Sequence, residues 1–264
     1  MSAYPAETLL LEGPDAIAFA QAQLSSRIDE IPNGQWRFSA WLDAKGRVIA
    51  LFHVARLADD RLLLLLRGGR AQDIATSLQR FVFRSKVKIV AQSTRALSCG
   101  ASLPMHIVES DDTRFVFGCN THSLVVGEAS DDDWHLPQLH MGWPWLPDNA
   151  QGELLPPMIS LHHLHAVAID KGCYPGQEIV ARLHYRGGNK RHMHSVVLSR
   201  QVVAGSVWRD GEREALRVLD IVEHDGAFEA LAIIADDVVE RLNDNTLALD
   251  DAPFTVLLRE QWPN

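Results

Sequence analysis

The residues best suited to chemistry lie together in one turn, Lys171-Gly172-Cys173-Tyr174-Pro175-Gly176-Gln177-Glu178. Its glycines allow backbone angles that other residues resist, and its proline fixes its own φ. Apolar runs before and after the turn predict a strand, the turn, and a helix opened by Gly176-Gln177-Glu178. Free N–H groups at the helix start and the adjacent Lys171 predict a Cys173 thiol with a lowered pKa. A buried cysteine in a glycine turn is the alternative, but the density of unusual residues favours a reactive site.

The predicted helix after the turn carries charges on one face. Glu178 and Arg182 stand at i, i+4 with the acid first, the order that favours an ion pair, and Arg186 lies one turn further. Structurally this pattern only supports a helix. Chemically, a carboxylate suits protonated ring nitrogens and guanidinium groups suit acidic tails, which is the combination that a pterin with a glutamate tail presents.

A basic segment follows in an otherwise acidic chain. The net charge is −9, yet no acid occurs between Glu178 and Asp210. This segment contains six cations, which are Arg182, Arg186, Lys190, Arg191, Arg200 and Arg209. It predicts a local electropositive surface beside the cysteine turn that could hold an anion. A solvated cationic face with carboxylate partners from elsewhere in the fold is the competing interpretation.

Composition indicates an ordinary soluble globular protein. Of the 264 residues 47% are hydrophobic and 22% are charged. The first residues lack the pattern of a secretion signal, and the longest aliphatic run, 62–66, is too short to span a bilayer. Three widely spaced cysteines argue against a disulfide framework and for a reducing compartment. We therefore predict a cytoplasmic protein without membrane association.

Helices and antiparallel hairpins alternate in the N-terminal part, which predicts an α+β fold rather than a doubly wound parallel sheet. The predicted elements are strands at 9–11, 35–42, 47–57, 61–67 and 87–90, a helix from Ala16 to about Pro32 capped by Asp15, and a helix with Ile74, Leu78 and Phe81 on its core face.

The rest of the chain is mostly predicted strand. Four short strands fall within 94–130, regular structure is expected at 161–169, and five strands after 188 suggest a small barrel or sandwich. Residues 134–157 predict a long connection in which Met141-Gly142-Trp143-Pro144 could line a pocket. We predict three units: an α+β domain of 1–91 plus 134–190 carrying the cysteine turn, a β-rich subdomain of 92–133 and a β-barrel of 191–264.

Several site classes lack their motifs. The sequence has no glycine-rich phosphate loop, no dinucleotide-binding fingerprint and no Cys-x-x-Cys pair. His162 and His165 stand at i, i+3 and could bind a metal on a helix, but no acid or cysteine lies nearby. We therefore predict no metal site.

The cysteine turn, followed by Ala181-Arg182 and Arg186-Gly187, resembles the signature of the YgfZ-type folate-binding proteins, relatives of the T-protein (aminomethyltransferase) of the glycine cleavage system. Weaker similarities fall in the right order within residues 1–190. They are the helix region 11–24, the hairpin at Lys45-Gly46-Arg47, the helix end at 78–82, Gly142-x-Pro144 and the spacing from Pro156 to the turn.

This resemblance implies an aminomethyltransferase-like fold in which two α+β pieces enclose a folate pocket and a small C-terminal β-barrel closes it. It implies tetrahydrofolate or a derivative as cofactor. It also implies a role in assembling or repairing iron–sulfur enzymes, including those that thiolate tRNA. The family's thiol maps onto Cys173, with Lys171 as a second catalytic residue. The cofactor-binding residues would be Tyr174, Gln177, Glu178, Arg182 and Arg186.

The sequence departs from the family pattern at three places. Ser25-Ser26-Arg27 stands where many members have an aspartate, Ser160 replaces an asparagine, and Gln138 replaces an arginine. These losses weaken the expectation of one-carbon transfer more than that of folate binding, because transfer needs a positioned acid at the folate amine.

Three functions remain in order of preference. The first is a folate-dependent accessory protein of iron–sulfur metabolism with Cys173 as its thiol. The second is an aminomethyltransferase that moves a one-carbon unit onto tetrahydrofolate. The third is an RNA-binding module that makes a weak RNA contact through the basic segment with Tyr185 and Trp208.

Overall fold

The computed structural model describes residues 5–111, 113–129, 134–241, 246–248 and 255–262. In chain order its elements are β1 (Pro5–Ala6), β2 (Thr8–Glu12), α1 (Ala16–Gln23), β3 (Gln35–Leu42), β4 (Val48–Ala58), β5 (Arg61–Leu66), α2 (Ala71–Gln79), β6 (Lys88–Ala91), β7 (Arg95–Gly100), β8 (Val108–Ser110), β9 (Phe115–Gly118), β10 (Ser123–Gly127), α3 (His135–His140), α4 (Gln177–Arg186), β11 (Arg191–Leu198), β12 (Val207–Asp210), β13 (Arg213–His224), β14 (Ala227–Ala235), α5 (Asp236–Val239), β15 (Thr246–Ala248) and β16 (Thr255–Gln261). Within these ranges no helix has both the length and the apolar composition to cross a bilayer.

The first sheet has the antiparallel order β3-β4-β5-β2-β6 and is covered on both faces. Strand β5 shows this in its alternation: Leu63 and Leu65 join the core shared with the second sheet, while Leu62, Leu64 and Leu66 join the core under α1 and α2. Because both faces are buried, the strand is a continuous leucine run rather than an alternating one.

Two details of the first helical region differ from the predictions. Helix α1 ends at Gln23 rather than near Pro32, because Leu24 takes an extended conformation and bridges to Trp41 of β3. Asp15 stands at the start of α1 without capping it, since its Oδ2 accepts the backbone N–H of Lys86 at 2.6 Å.

The predicted core position of Phe81 is also wrong. Phe81 lies beyond the end of α2, where its side chain is 41% exposed and its ring meets Trp41 edge-on at 6.0 Å between centroids.

The second sheet has the antiparallel order β1-β7-β10-β9-β8. Strands β9 and β10 have the predicted bounds, whereas the pairing of β1 with β7 was not predicted. Buried Phe117 of β9 meets Trp36 of β3, with ring centroids 6.3 Å apart, so the first two sheets share one core.

The third sheet is antiparallel, in the order β12-β13-β14-β11-β16-β15, and is open over the described residues. The predicted closed barrel is therefore not confirmed and stays a prediction, as does the division into three domains. Position 254, where the last predicted strand begins, lies outside the described ranges.

The long connection predicted at 134–157 is confirmed, with α3 as its main helix. A hydrogen bond of 2.6 Å between His135 Nε2 and the Oδ2 of buried Asp220 connects α3 to β13 of the third sheet. The regular structure predicted at 161–169 is wrong. The backbone there forms turns and an extended run that bonds elsewhere, with Ala168 N–H donating to the Ser25 carbonyl at 2.8 Å.

Candidate functional site

A cavity of about 700 Å³ opens where the first sheet, the second sheet and segment 164–170 meet. Ligand pockets usually measure roughly 300–1,000 Å³, so this one is large enough for a drug-sized molecule. Its lining residues are Ser26, Arg27, Gln35, Arg37, Phe38, His106, Leu164, His165, Val167, Ala168, Ile169, Asp170 and Tyr185.

Two guanidinium groups give the cavity its positive charge. Arg27 is held in place, since its Nη2 lies 2.8 Å from an Asp170 carboxylate oxygen and its Nη1 lies 3.3 Å from Glu30. Its hydrogen bond with Arg27 lowers the pKa of Asp170. Arg37 is only loosely paired, at 3.9 Å from Glu30, and its side chain is 40% exposed. Arg37 is therefore free to bind an incoming anion.

Two aromatic rings, those of Phe38 and His106, also line the cavity. The buried Phe38 ring packs against His53 at 4.5 Å and Trp143 at 5.0 Å between centroids, so its orientation is fixed. Burial lowers the pKa of His106, which keeps that imidazole neutral at pH 7. On the polar side, the buried Ser26 Oγ has no hydrogen-bond partner among the described residues. A planar heterocycle with an anionic tail fits this combination.

Lys171 lies behind the cavity wall and is buried. Its Nζ donates hydrogen bonds of 2.6–2.7 Å to three backbone carbonyl oxygens at and beyond the end of α1, those of Gln21, Leu24 and Ser26. These bonds satisfy carbonyls at the end of α1, and they fix the backbone that carries Ser26 and Arg27 into the cavity. None of them goes to Cys173, and the predicted catalytic role of Lys171 stays a prediction.

The Gln177 side chain also stabilises the turn through hydrogen bonds. Its amide Nε2 donates to the carbonyls of Ile169 at 3.2 Å and Lys171 at 3.0 Å. Gln177 thereby joins the first turn of α4 to the cavity-lining segment. As predicted, helix α4 begins here, with Gly176 before its first residue.

Gly176 fixes the turn against the β3–β4 hairpin. It has φ +77°, and a Cβ in its place would lie 2.5 Å from the Asp43 carbonyl oxygen and 2.7 Å from the Gly46 Cα. No side chain fits between these two backbones, so the glycine is required by both conformation and space.

Cys173 is the exposed member of the turn, whereas Cys119 is buried. Among the residues that the structure describes, none is hydrogen-bonded to the Cys173 Sγ, so the thiol faces solvent. The strand predicted before the turn is absent, and Cys173 lies four residues ahead of α4. Its predicted thiolate character stays a prediction.

Tyr174 is buried, with the Lys171 Nζ over its ring at 5.2 Å from the centroid. Burial raises the pKa of Tyr174 to about 12. Its hydroxyl has no hydrogen-bond partner in the described part of the chain. Tyr174 is not among the residues that line the cavity.

The other predicted cofactor residues lie on α4 outside the cavity. Glu178, Arg182 and Arg186 are exposed, and the ion pair expected between Glu178 and Arg182 is not formed. Exposed pairs of this kind contribute about 0–1 kcal/mol, so water competes with them effectively. Tyr185, on the same helix, is the α4 residue that lines the cavity.

Parts of the basic segment have partners within the fold. Arg191 pairs with Glu214 at 3.2 Å, and Arg209 donates to the Glu212 carbonyl. Trp208 packs against the core of the third sheet. The Glu214 carboxylate thus neutralises Arg191, in agreement with the competing interpretation for that residue.

Ser25, Ser160 and Gln138, which stand at the three departures from the family pattern, are buried. Ser25 Oγ donates to the Ala166 carbonyl at 2.6 Å, and Ser160 takes a left-handed conformation with φ 54°. Gln138 accepts a 2.6 Å hydrogen bond from the fully buried Arg67, whose pKa burial lowers to about 10. Gln138 therefore serves as a neutral acceptor for a buried cation.

Two further predictions concern Gly142 and the pair His162 and His165. None of the residues 141–144 lines the cavity, and Gly142 packs against Trp262. His162 lies 5.3 Å from His184 between ring centroids, and no group of three metal-ligating side chains occurs among the described residues.

The sequence did not reveal that Arg37, His106 and Tyr185 line the cavity. It drew attention to Arg27 only because Ser25-Ser26-Arg27 stands where many family members have an aspartate. Arg37 carried a weak signal, as the one charged residue of the mostly apolar strand β3. His106 carried none, because its place depends on the packing of the second sheet against the first.

Comparisons with known proteins support the resemblance. A Haemophilus influenzae protein named only as uncharacterized is 28% identical over 189 residues, which cover 69% of this chain and 68% of that protein. The tRNA-modifying protein YgfZ of Yersinia enterocolitica is 25% identical, with 96% of this chain and 88% of the relative covered. YgfZ of Colwellia psychrerythraea is 25% identical over 86% of this chain and 82% of its own. The predicted similarity to YgfZ-type proteins is thus confirmed, although no family model matches the chain.

The fold was compared with solved structures. The crystal structure of glycine cleavage system aminomethyltransferase T from Bartonella henselae matches with a TM-score of 0.74 at 15% identity, covering 96% of this chain and 82% of that one. At this identity the likeness concerns the fold alone. The predicted aminomethyltransferase-like fold, mixed in helix and sheet and mostly strands, is confirmed.

Proposed function

We propose that this protein binds tetrahydrofolate or a derivative in the central cavity and supports tRNA modification, with Cys173 as its functional thiol. The names of the YgfZ relatives and the aminomethyltransferase-like fold support a role of this kind. We further propose, from the family resemblance, that the route is the assembly or repair of iron–sulfur enzymes such as those that thiolate tRNA.

The cavity beside the cysteine turn carries the proposal. It combines an aromatic wall at Phe38, a buried Ser26 hydroxyl that has no hydrogen-bond partner among the described residues, and a loosely paired cation at Arg37. A folate combines a planar pterin with one or more carboxylates. The aromatic wall would bind the ring and Arg37 would bind a carboxylate. When bound, tetrahydrofolate supplies a carrier for one-carbon units.

Lys171 and Gln177 act in this proposal as positioning residues. The Lys171 ammonium holds the carbonyls around Ser26, and the Gln177 amide holds those of Ile169 and Lys171. Arg182 and Arg186 lie on either side of Tyr185 in the α4 sequence, where they could bind the outer end of a longer acidic tail.

Cys173 stands at the exposed tip of the turn, three residues after cavity-lining Asp170. An exposed thiol close to a cofactor pocket can react with a partner protein or a small electrophile, since access and thiolate content control cysteine reactivity. The buried Cys119 offers no such access, and burial raises the pKa of its thiol to about 12.

The alternative, a one-carbon transferase, has the fold in its favour and the cavity chemistry against it. Transfer to a folate amine needs an acid that gives and takes a proton near pH 7. Asp170 is the carboxylate that lines the cavity in the described residues, and its ion pair with Arg27 lowers its pKa. That shift moves it away from the range useful for general acid or base catalysis.

A cell experiment tests the thiol. In a strain that lacks the natural gene, the Cys173→Ala chain is expected to leave tRNA thiolation as low as in the deletion, while Cys99→Ala restores it. Both proteins must be present at equal levels. Unchanged thiolation with Cys173→Ala contradicts the thiol role, and a direct one-carbon transfer assay on the wild type separates the enzyme alternative.

A further inference from the structure

A second surface, remote in sequence from the cysteine turn, combines exposed aromatic rings with unpaired cations. It is the segment from Arg80 to Lys88, which connects α2 to the edge strand β6. Phe83 is 86% exposed and Phe81 is 41% exposed, although large apolar side chains are normally covered. We propose that this segment, called here the basic–aromatic segment, binds single-stranded nucleic acid.

Its charge is concentrated and not neutralised. No acid occurs between Asp73 and Glu109, in a chain whose net charge is −9. The four exposed cations of the segment take part in none of the ion pairs found among the described residues; they are Arg80, Arg84, Lys86 and Lys88.

The nearby carboxylates are already engaged. Glu12, the cross-strand neighbour of Lys88, has an oxygen 3.0 Å from the Nε of Arg61. The Asp15 carboxylate accepts the backbone N–H of Lys86 rather than pairing with a side-chain cation. The lysine and arginine side chains therefore remain available to an external polyanion.

The segment is held in shape before any partner arrives. Phe81 packs edge-on against Trp41, and the Lys86 carbonyl accepts the Asp15 N–H while lying against Gly13 too closely for a Cβ there. Because both ends are fixed, Phe83 is presented to solvent with little ordering cost on binding.

The chemistry favours bases over carboxylates as the partner of the rings. Nucleotide bases stack on exposed aromatic side chains in a sequence-tolerant way, while flanking cations bind the phosphates. An acidic peptide would use the four cations but has no planar group for Phe83. A duplex keeps its bases stacked inside and would also leave the ring unused.

Fluorescence anisotropy with a labelled ten-nucleotide oligouridylate tests the proposal in the full chain. We expect saturable binding at 20 mM KCl and a slope of log affinity against log salt near −3, because four phosphate contacts at about 0.7 each give that value. Phe83→Ala is expected to weaken binding about fivefold or more, as loss of one stacked base does.

Charge reversal supplies the matched control. Arg84→Glu should reduce the magnitude of the salt slope by about 0.7, whereas Arg259→Glu makes the same charge change on exposed β16 and should leave the slope unchanged. Thermal melting should show all three variants folded.

Three results overturn the proposal. They are no binding at 20 mM KCl, polyglutamate or duplex RNA binding as tightly as the oligouridylate, and equal affinity of Phe83→Ala and wild type. Because the segment lies outside the cavity, its failure leaves the folate proposal untouched.

Discussion

Replacing Lys171 by methionine should destabilise the protein although Lys171 does not line the cavity. Methionine keeps the length and apolar stem of lysine but donates none of the three hydrogen bonds to Gln21, Leu24 and Ser26. Those buried carbonyls would lose their partner, which costs free energy even where the new side chain packs well.

The size of the effect follows from two opposing contributions. Hydrogen bonds from a charged donor contribute about 1.5–3 kcal/mol each, so three supply roughly 4.5–9 kcal/mol. Burial of the ammonium opposes them and lowers the pKa of Lys171 from 10.5 to about 8. That shift corresponds to about 3 kcal/mol against the charged form. We therefore expect the free energy of unfolding to fall by about 3 kcal/mol, and by at least 1 kcal/mol.

Urea unfolding at pH 7, followed by tryptophan fluorescence, measures this change. Lys190→Met provides the control, because Lys190 is exposed and should stay within about 0.5 kcal/mol of the wild type. If Lys171→Met is as stable as Lys190→Met, the ammonium does not hold the turn after α1, and the positioning role assigned to it is wrong.

Three further predictions concern the turn, the third sheet and the thiols. Gly176→Ala should lower the free energy of unfolding by about 2–4 kcal/mol, because the new Cβ would meet the β3–β4 hairpin. Gly34→Ala is the control: Gly34 has φ +76° but no atom within 4 Å of an added Cβ, so the loss should be about 1 kcal/mol. Equal losses in the two variants would show that the Cβ at position 176 does not clash with the hairpin. Burial, with a smaller contribution from His192, lowers the pKa of His194 to about 4, so only the unfolded chain gains this proton as the pH falls below 6.5. Between pH 6.5 and 4 the free energy of unfolding of the wild type should therefore fall by about 3 kcal/mol more than that of His194→Gln. Parallel profiles of stability against pH for the two proteins would refute this. A thiol reagent should label Cys173 much faster than Cys119, and persistence of the fast phase in Cys173→Ala would contradict the assignment.

Local sequence signals predicted those parts of the fold that depend on neighbours in the chain. The strands Gln35–Leu42 and Phe115–Gly118 have the predicted bounds because alternation and turn residues define them. The start of α4 at Gln177 follows from the glycine turn before it. Residues 161–169 look equally regular, but their backbone bonds to Ser25 and to nearby turns instead of a sheet.

The site was located by sequence, but its geometry was not. The Lys171 ammonium binds carbonyls about 150 residues earlier, and no local pattern reports such a contact. Arg37 and His106 meet only because two sheets pack together. The family resemblance directed attention to Arg182 and Arg186 as cofactor residues, whereas burial and the cavity direct it to Arg27 and Arg37.

Equilibrium binding of tetrahydrofolate tests the central claim most directly. The wild type should bind in a one-to-one ratio, Arg37→Ala should bind about tenfold more weakly because a charged hydrogen bond is lost, and Cys173→Ala and Arg259→Ala should bind like the wild type. Weaker binding by Arg182→Ala would indicate that Arg182 on α4 also contacts the acidic tail of the folate. No binding of tetrahydrofolate by the folded wild type would contradict the account.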